Sequence, residues 1–379
     1  MRGTWLALTA ALALGACGDT EVLAPVGDPA APRNVDAFYY AGSVTVTWEL
    51  GPGWDGEAFR VYARRLSDAD YFLIAEVTSC AADLCSYDDR NVAESVRYEY
   101  YVASVDPSTG VETPSEFSVE VAVPSFTPPP APAGMQVVAL DGANYLRWGQ
   151  ESRQSDDFSF YRVYLEDDQG EAFLLGETDS EGFLDELAAN GGTFRYFVTA
   201  LDVHGHESGG SGLAAGTPRP DFHGEWMWAS EDRPELAGFR FQEDESLDPI
   251  VGGTDPARHF RLEVDSFGWW LVPGPGAMVH GEGFPTTALT CGPGADAGCV
   301  DVPVAPASGY TAGDVELVPQ TTYVLRVTGD DGAVRYGAVR VALLGFDQND
   351  DAIMIFDWAY QSQAGNPNLA PATSGLSLR

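Results

Sequence analysis

The chain has 379 residues, with 20 basic against 57 acidic residues and a formal net charge of −37. All of the basic residues are arginine, because the sequence contains no lysine. Binding to nucleic-acid phosphates needs clustered positive charge, so the composition argues against nucleic acid as a partner. The absence of lysine excludes Schiff-base and P-loop chemistry.

The first 16 residues have the layout of a secretory signal peptide. Arg2 is followed by an apolar run over residues 5–14, which is too short to cross a bilayer because a spanning helix needs about 20 residues. The LGAC sequence at residues 14–17 resembles the bacterial lipobox, in which the cysteine sulfur receives a diacylglycerol before cleavage. The resemblance implies that Cys17 is lipidated and that residues 17–31 form a tether. The expected location is the bacterial cell envelope, at the outer membrane or the cell surface.

The other four cysteines form two local pairs, Cys80 with Cys85 and Cys291 with Cys299. An even number of cysteines in an exported chain indicates disulfide bonds. Reduced pairs or a metal site fit less well, because no histidine lies near either pair at zinc-type spacing. The sequence therefore predicts two disulfides and no metal site.

Residues 32–124 contain short strand-like stretches separated by turns. These stretches are residues 44–48, 59–62, 72–77, 98–105 and 117–123. Strands at this spacing, without helical periodicity, are typical of a β-sandwich.

Residues 133–217 repeat this plan behind a Pro-rich linker at residues 125–132, which favours a semi-rigid, extended spacer. Trp48 and Trp148 lie 100 residues apart. Further along the chain, residues 183–185 correspond to residues 86–88, and residues 194–201 correspond to residues 98–105. The repetition indicates an internal duplication of about one small domain.

Both repeats resemble fibronectin type III domains. They share a Pro-rich start, a tryptophan on the second strand and a late strand of the Tyr-x-Tyr type. The resemblance implies a seven-stranded sandwich in each repeat. It also implies a tyrosine corner at Tyr98, whose hydroxyl would bond to backbone upstream. The second repeat has Phe194 at that position, which cannot donate a hydrogen bond.

Residues 221–379 are strand-rich but do not repeat the unit. The expected strands are residues 225–229, 238–242, 259–264, 268–272, 322–328, 334–344 and 352–360. The sequence thus predicts an all-β chain, with two tandem fibronectin type III-like β-sandwiches followed by a third β-rich domain.

The tail of this third domain resembles the C-terminal part of the HmuY-like family of bacterial lipoproteins. The match is carried by Tyr323, Arg326, Tyr336, Arg340, Trp358, Tyr360 and Gln361. The resemblance implies a ligand-bearing domain, and the haem binders of that family hold iron between two histidines.

Four residues of the third domain are candidates for ligand binding: Trp269, Trp270, His259 and His280. Consecutive strand residues point to opposite faces, so one of the two indoles can enter the core while the other faces solvent, a loop or a ligand. Neither histidine aligns with a motif of the HmuY-like family, and a lone loop histidine is usually solvated. We therefore expect no tight haem binding and no cofactor.

Two further motifs favour turns over metal sites. Residues 204–207, HGHE, occupy the place of a turn in the first repeat. Residues 347–351, DQNDD, have oxygen ligands at alternate positions as a calcium loop would, but lack the glycine at the sixth position and the closing glutamate.

Motifs for a nucleophile elbow, a zinc protease or a phosphate loop do not occur in the sequence. The sequence therefore predicts a membrane-anchored, extracytoplasmic lipoprotein that acts as a binding or display module. The sandwiches would form a stalk, and the C-terminal domain a head for an unknown protein, polysaccharide or small ligand. The alternatives are capture of haem or another small ligand by the head, and an enzyme with an unrecognised active site in the C-terminal domain.

Overall fold

The computed structural model describes residues 27–218, 224–244, 247–286, 302–329 and 331–369. Regular structure in these ranges is almost entirely β-strand, apart from two short 3₁₀ helices, Glu151–Gln154 and Pro234–Leu236. The predicted all-β class is therefore confirmed. None of the helical segments described is long and apolar enough to cross a membrane.

Some of the predictions fall on parts of the chain that lie outside the described residues. They are the signal peptide, Cys17 with the first ten residues of the predicted tether, and the pairing of Cys291 with Cys299. The chain divides into two compact units, Met1–Ser125 and Phe126–Arg379.

The first unit is a β-sandwich of two antiparallel sheets. Its strands are β1 (Arg33–Tyr40), β2 (Ser43–Glu49), β3 (Ala58–Arg65), β4 (Phe72–Val77), β5 (Leu84–Asp89), β6 (Arg97–Val105), β7 (Glu112–Pro114) and β8 (Val119–Ala122). One sheet has the order β1-β2-β5, and the other β4-β3-β6-β7 with β8 also paired to β6. Strand β2 alternates between buried and half-exposed residues, as a strand with one face on a core must.

The core of this sandwich is built around Trp48, which is fully buried and meets the ring of Phe59 edge-on at 5.6 Å. The disulfide between Cys80 and Cys85 is confirmed, and it closes the loop that leads into β5. The predicted tyrosine corner is also confirmed, because the backbone N–H of Ala93 donates to the Tyr98 hydroxyl at 2.9 Å.

The second sandwich begins the second unit and repeats the first. Its strands are β9 (Gln136–Ala139), β10 (Asn144–Arg147), β11 (Phe158–Glu166), β12 (Ala172–Thr178), β13 (Gly182–Asp185), β14 (Phe194–Asp202) and β15 (Ala214–Gly216). The two sheets have the orders β9-β10-β13 and β12-β11-β14-β15. Trp148 meets Tyr161 edge-on at 5.3 Å, as Trp48 meets Phe59 in the first sandwich.

A buried Tyr–Asp hydrogen bond occurs in both sandwiches and fixes the register of the duplication. The Tyr100 hydroxyl donates to Asp89 at 3.0 Å, and the Tyr196 hydroxyl donates to Asp185 at 2.7 Å. Asp185 therefore corresponds to Asp89. The expected match of residues 183–185 to residues 86–88 is wrong by one position.

The C-terminal domain is a third β-sandwich with a different topology. Its strands are β16 (Glu225–Trp228), β17 (Gly238–Phe239), β18 (Ile250–Val251), β19 (Phe260–Asp265), β20 (Gly268–Pro273), β21 (Ala277–His280), β22 (Phe284–Pro285), β23 (Tyr310–Thr311), β24 (Val315–Glu316), β25 (Thr321–Thr328), β26 (Val334–Phe346) and β27 (Ala352–Gln361). The larger sheet has the order β16-β27-β26-β25-β21-β23 with β22 paired to β25, and the smaller sheet has the order β18-β17-β19-β20-β24.

An aromatic core lies between these two sheets. Phe239 is fully buried, and its ring lies within 5.7 Å of the rings of Phe260, Phe356 and Trp358. Strand β27 supplies alternate residues to this core, including Met354.

The opposite face of β27 is also apolar and packs against the second sandwich. Ile353 and Ile355 join Leu343 from β26 and Trp228 from β16 in a cluster with residues of the second sandwich. Those residues are Leu140, Ala143, Tyr145 and Leu184. The second sandwich and the C-terminal domain thus share a buried core, which makes residues 126–379 one compact unit.

Candidate functional site

The DQNDD segment is the turn of the β26–β27 hairpin, as its sequence indicates. The backbone N–H of Asp347 donates to the carbonyl of Asp351 at 2.9 Å. The Arg233 guanidinium donates to Asp347 at 3.0 Å and to Asp351 at 2.7 Å. The Arg233 guanidinium thus pairs with both carboxylates that a calcium loop would have offered to a metal ion.

The side chains of Trp228, Arg233 and Asp347 form a compact network around this turn. The Trp228 indole N–H donates to the buried Asp347 carboxylate at 3.0 Å, and the Arg233 guanidinium lies 4.4 Å from the centre of the Trp228 ring. Asp347 also accepts the backbone N–H groups of Asn349 and Asp351. The network gives the turn one rigid shape, because every acceptor of the buried carboxylate has a donor.

The rigid turn is bonded to the second sandwich. The Thr178 hydroxyl donates to the Gln348 carbonyl at 3.0 Å, and the Leu184 N–H donates to the Gln348 side-chain oxygen at 2.9 Å. The Tyr145 hydroxyl donates to the Phe346 carbonyl at 3.0 Å. Burial raises the pKa of Tyr145 to about 12. We call these three hydrogen bonds the turn contact.

A cleft of about 450 Å³ opens beside this contact, between the second sandwich and the C-terminal domain. It is lined by Asp141, Glu186, Glu225, Trp226, Trp228, Leu236, Leu247, Asp248, Pro249 and Ile250. We call it the junction cleft. Trp226 and Trp228 lie on the same side of β16, while Met227 between them points into the core of the C-terminal domain.

The walls of the junction cleft are acidic. Its lining, within the described part of the chain, includes four carboxylates and no basic residue. The Asn190 amide donates to Asp141 at 2.6 Å, and Asp248 accepts the backbone N–H of Ile250 at 2.8 Å. These two donors are neutral, so they fix the carboxylates in place without cancelling their charge.

The two adjacent indoles proposed as ligand contacts lie elsewhere, on β20. Trp269 packs against the core of the C-terminal domain and lies 5.7 Å from the ring of Phe346. Trp270 points to the other face, where its indole N–H donates to Asp265 at 3.0 Å. Both indoles are half-buried, and neither lines the junction cleft.

The two histidines lie on different segments of the C-terminal domain. His259 precedes β19 and accepts the backbone N–H of Phe241 through Nδ1 at 3.0 Å. His280 lies on β21, with its ring 5.3 Å from Phe284 and 5.7 Å from Tyr310. The structure shows no contact between the two rings within the described residues, and neither lines the junction cleft.

The HGHE segment forms the expected turn after β14. Asp202 accepts the backbone N–H groups of His204 and His206 at 2.9 and 2.8 Å, and its second oxygen lies 2.7 Å from His206 Nδ1. In the first sandwich Asp106 caps the corresponding turn through Ser108. Nowhere in the described ranges do three or more His, Cys, Asp or Glu side chains form a group that could hold a metal ion.

The sequence did not predict the junction cleft. The signal was present in the EWMW sequence of residues 225–228, where indoles alternate with Glu225 and a core methionine. The acidic residues that complete the cleft come from the second sandwich and from residues 247–250. Only the packing of the two domains brings these segments together.

Comparison with known proteins gives similarity in structure alone. No protein-family model and no curated protein matches the sequence. The sandwiches are similar to fibronectin type III domains. The FN1–FN3 domains of chicken CNTN1 align over 51% of this chain and 69% of their own, at 15% identity and a TM-score of 0.41.

Two single-domain structures align over almost their whole length. An Fn3-like protein from Clostridium thermocellum is 28% identical and covers 26% of this chain and 97% of its own, with a TM-score of 0.22. FN3tt is 21% identical, with 24% and 97% coverage and a TM-score of 0.22. On the strand order given above, the chain carries two fibronectin type III-like sandwiches ahead of its C-terminal domain.

Proposed function

We propose that the chain is a membrane-anchored, extracytoplasmic lipoprotein that binds a ligand in the junction cleft and does not turn it over. The observation that carries the binding role is the construction of this cleft from two domains. The indoles come from the C-terminal domain, and the acidic residues Asp141 and Glu186 come from the second sandwich.

The turn contact supports this role because it holds the two walls together. Gln348 bonds to two residues of the second sandwich, and the apolar cluster around Ile353 and Ile355 lies behind it. A cleft whose walls are fixed before binding loses little conformational entropy when a ligand enters. Sites of this kind are usually concave and largely preformed.

The anchor in this proposal is Cys17, and its support is the LGAC sequence at residues 14–17. The tether and the sandwiches would hold the junction cleft away from the membrane. The HmuY-like resemblance of the tail stays a prediction, and it would place ligand binding in the same C-terminal domain.

The anchor is tested by Cys17→Ser expressed in a bacterial host that processes lipoproteins. We expect the wild-type chain to label with radioactive palmitate and to fractionate with membranes, because its cysteine accepts the lipid. The variant should do neither. A variant that still labels and still sediments with membranes would rule out Cys17 as the anchor.

Binding at the cleft is tested with Leu247→Arg, which places a guanidinium at an exposed position of the lining. The purified chain is screened by thermal shift against amines, amino acids, neutral sugars and nucleotides. A ligand of the cleft should raise the Tm of the wild type and of the control Leu213→Arg, whose site is exposed and outside the lining. It should have a smaller effect on Leu247→Arg. Equal shifts in all three proteins would place the binding elsewhere.

A further inference from the structure

We infer that the junction cleft selects an organic cation, a primary amine or quaternary ammonium group carried on an apolar body. The inference rests on the proposed function, since it takes the cleft to be a binding site. It is supported by the charge of the walls, by the indoles on one wall, and by a cation that the same wall already holds within the chain.

The charge of the lining favours a positive ligand. Asp141, Glu186, Glu225 and Asp248 surround a space of about 450 Å³ whose described lining has no arginine or histidine. These carboxylates repel an anion, whereas a cation gains attraction from each carboxylate that it approaches. The net charge of −37 adds a long-range field of the same sign, which raises the local concentration of cations.

The indoles add a preference for cations that carry carbon. Trp226 is half-buried and lines the cleft together with Leu236 and Ile250. The face of an indole attracts a cation through its quadrupole, and the attraction is strongest where water is displaced. A strongly hydrated inorganic ion gains little from such a surface, while an alkylammonium group contacts both the ring and the aliphatic residues.

The chain itself provides an example of this recognition on the same strand. The Arg233 guanidinium lies 4.4 Å from the centre of the Trp228 ring and pairs with Asp347 and Asp351. An indole with flanking carboxylates thus holds an organic cation two residues along β16 from Trp226. The junction cleft repeats the combination of groups, with Trp226 as the indole and Glu186 and Asp248 among the carboxylates.

The inference is tested by titrating the full-length chain with choline and following tryptophan fluorescence. The matched control ligand is dimethylbutanol, the uncharged carbon isostere of choline, and cadaverine serves as a primary diamine. We expect saturable binding of choline or cadaverine that weakens with added salt, and at least tenfold weaker binding of the isostere.

Two variants locate the site and measure the charge effect. Glu186→Gln keeps the shape of an exposed lining residue and removes one charge, so the Kd for the cation should rise about fivefold. Glu171→Gln removes an exposed charge outside the lining and should leave the Kd unchanged. Leu247→Arg should abolish the fluorescence change.

The possible failures are distinguishable. Equal binding of choline and its isostere, or no binding of either cation, overturns the preference for an organic cation. If a neutral sugar from the thermal-shift panel still binds in a manner blocked by Leu247→Arg, the cleft remains a binding site and only its ligand class is wrong. If no member of that panel is affected by Leu247→Arg, the proposed binding function fails with it.

Discussion

Gly182 lies at the contact between the second sandwich and the C-terminal domain. It begins β13, directly under the end of β26. A Cβ atom at this position would lie 1.9 Å from the Phe346 carbonyl oxygen and 2.6 Å from the Tyr145 hydroxyl. Real Cβ atoms do not approach that closely, and the carbonyl belongs to backbone that a rotamer change cannot move. The replacement Gly182→Ala should therefore push the hairpin turn away from the sandwich.

The cost follows from what this displacement breaks. The three hydrogen bonds of the turn contact contribute about 1 kcal/mol each. Forcing a methyl group into the packed contact adds about 1–3 kcal/mol. We expect Gly182→Ala to lower the free energy of unfolding of the second unit by about 4–6 kcal/mol.

The assay is urea unfolding of the full-length chain, followed by tryptophan fluorescence and circular dichroism. The matched control is Gly209→Ala in the same sandwich, where an added Cβ meets nothing within 4 Å and φ is not in the left-handed region. We expect the control to unfold as the wild type does. A Gly182→Ala chain that unfolds at the wild-type urea concentration would refute the close approach described for this contact.

Three further experiments test other parts of the account. Tyr98→Phe removes the acceptor of a backbone N–H and should destabilise the first sandwich by about 1–3 kcal/mol, while Phe194→Tyr should change the stability of the second sandwich less. Equal, negligible effects of the two substitutions would contradict the tyrosine corner. Folding raises the pKa of Tyr145 from 10.0 to about 12, so its contribution to the free energy of unfolding is complete below pH 10 and is lost between pH 10 and 12, by about 3 kcal/mol. Tyr145→Phe should therefore reduce the alkaline loss of stability. An unchanged pH profile in urea titrations would contradict this. Arg233→Met leaves the buried turn carboxylate without its cation and should lower the stability by about 3 kcal/mol. The control Arg97→Met, from an exposed pair, should lower it by less than about 1 kcal/mol. Equal losses in thermal unfolding would argue against the network.

The sequence predicts the sandwiches well because their signals are local. Period-two alternation identifies β2, and the pair Trp48 and Trp148 reveals the duplication. The duplication extends to an ion pair at the surface, since Arg60 pairs with Glu112 in the first sandwich and Arg162 pairs with Glu207 in the second. The strand pattern and each ion pair depend on residues within one repeat.

The one-residue error in the second repeat has a physical cause. The loops before β5 and β13 differ in length, and residues 86–88 and 183–185 both combine an aromatic residue with an aspartate. The hydrogen bonds of Asp89 and Asp185 to their tyrosines settle the register. A match based on residue type could not settle the register, because Asp88 and Asp89 are adjacent and either could be matched to Asp185.

The candidate site could not be predicted because it depends on contacts across domains. The apolar run of β27 indicates a strand buried on both faces, yet the sequence does not say what covers the second face. In the structure Ile353 and Ile355 are covered by the second sandwich. The same packing places Asp141 opposite Trp226, more than 80 residues away along the chain.

The claim on which the account depends most is that residues 126–379 unfold as one cooperative unit. Native-state hydrogen exchange of the full-length chain, measured in increasing urea, tests it directly. We predict that amides of β11 and β14 in the second sandwich and of β25 and β26 in the C-terminal domain share one opening free energy and one dependence on urea. Two separate exchange isotherms, one for each pair of strands, would contradict the account.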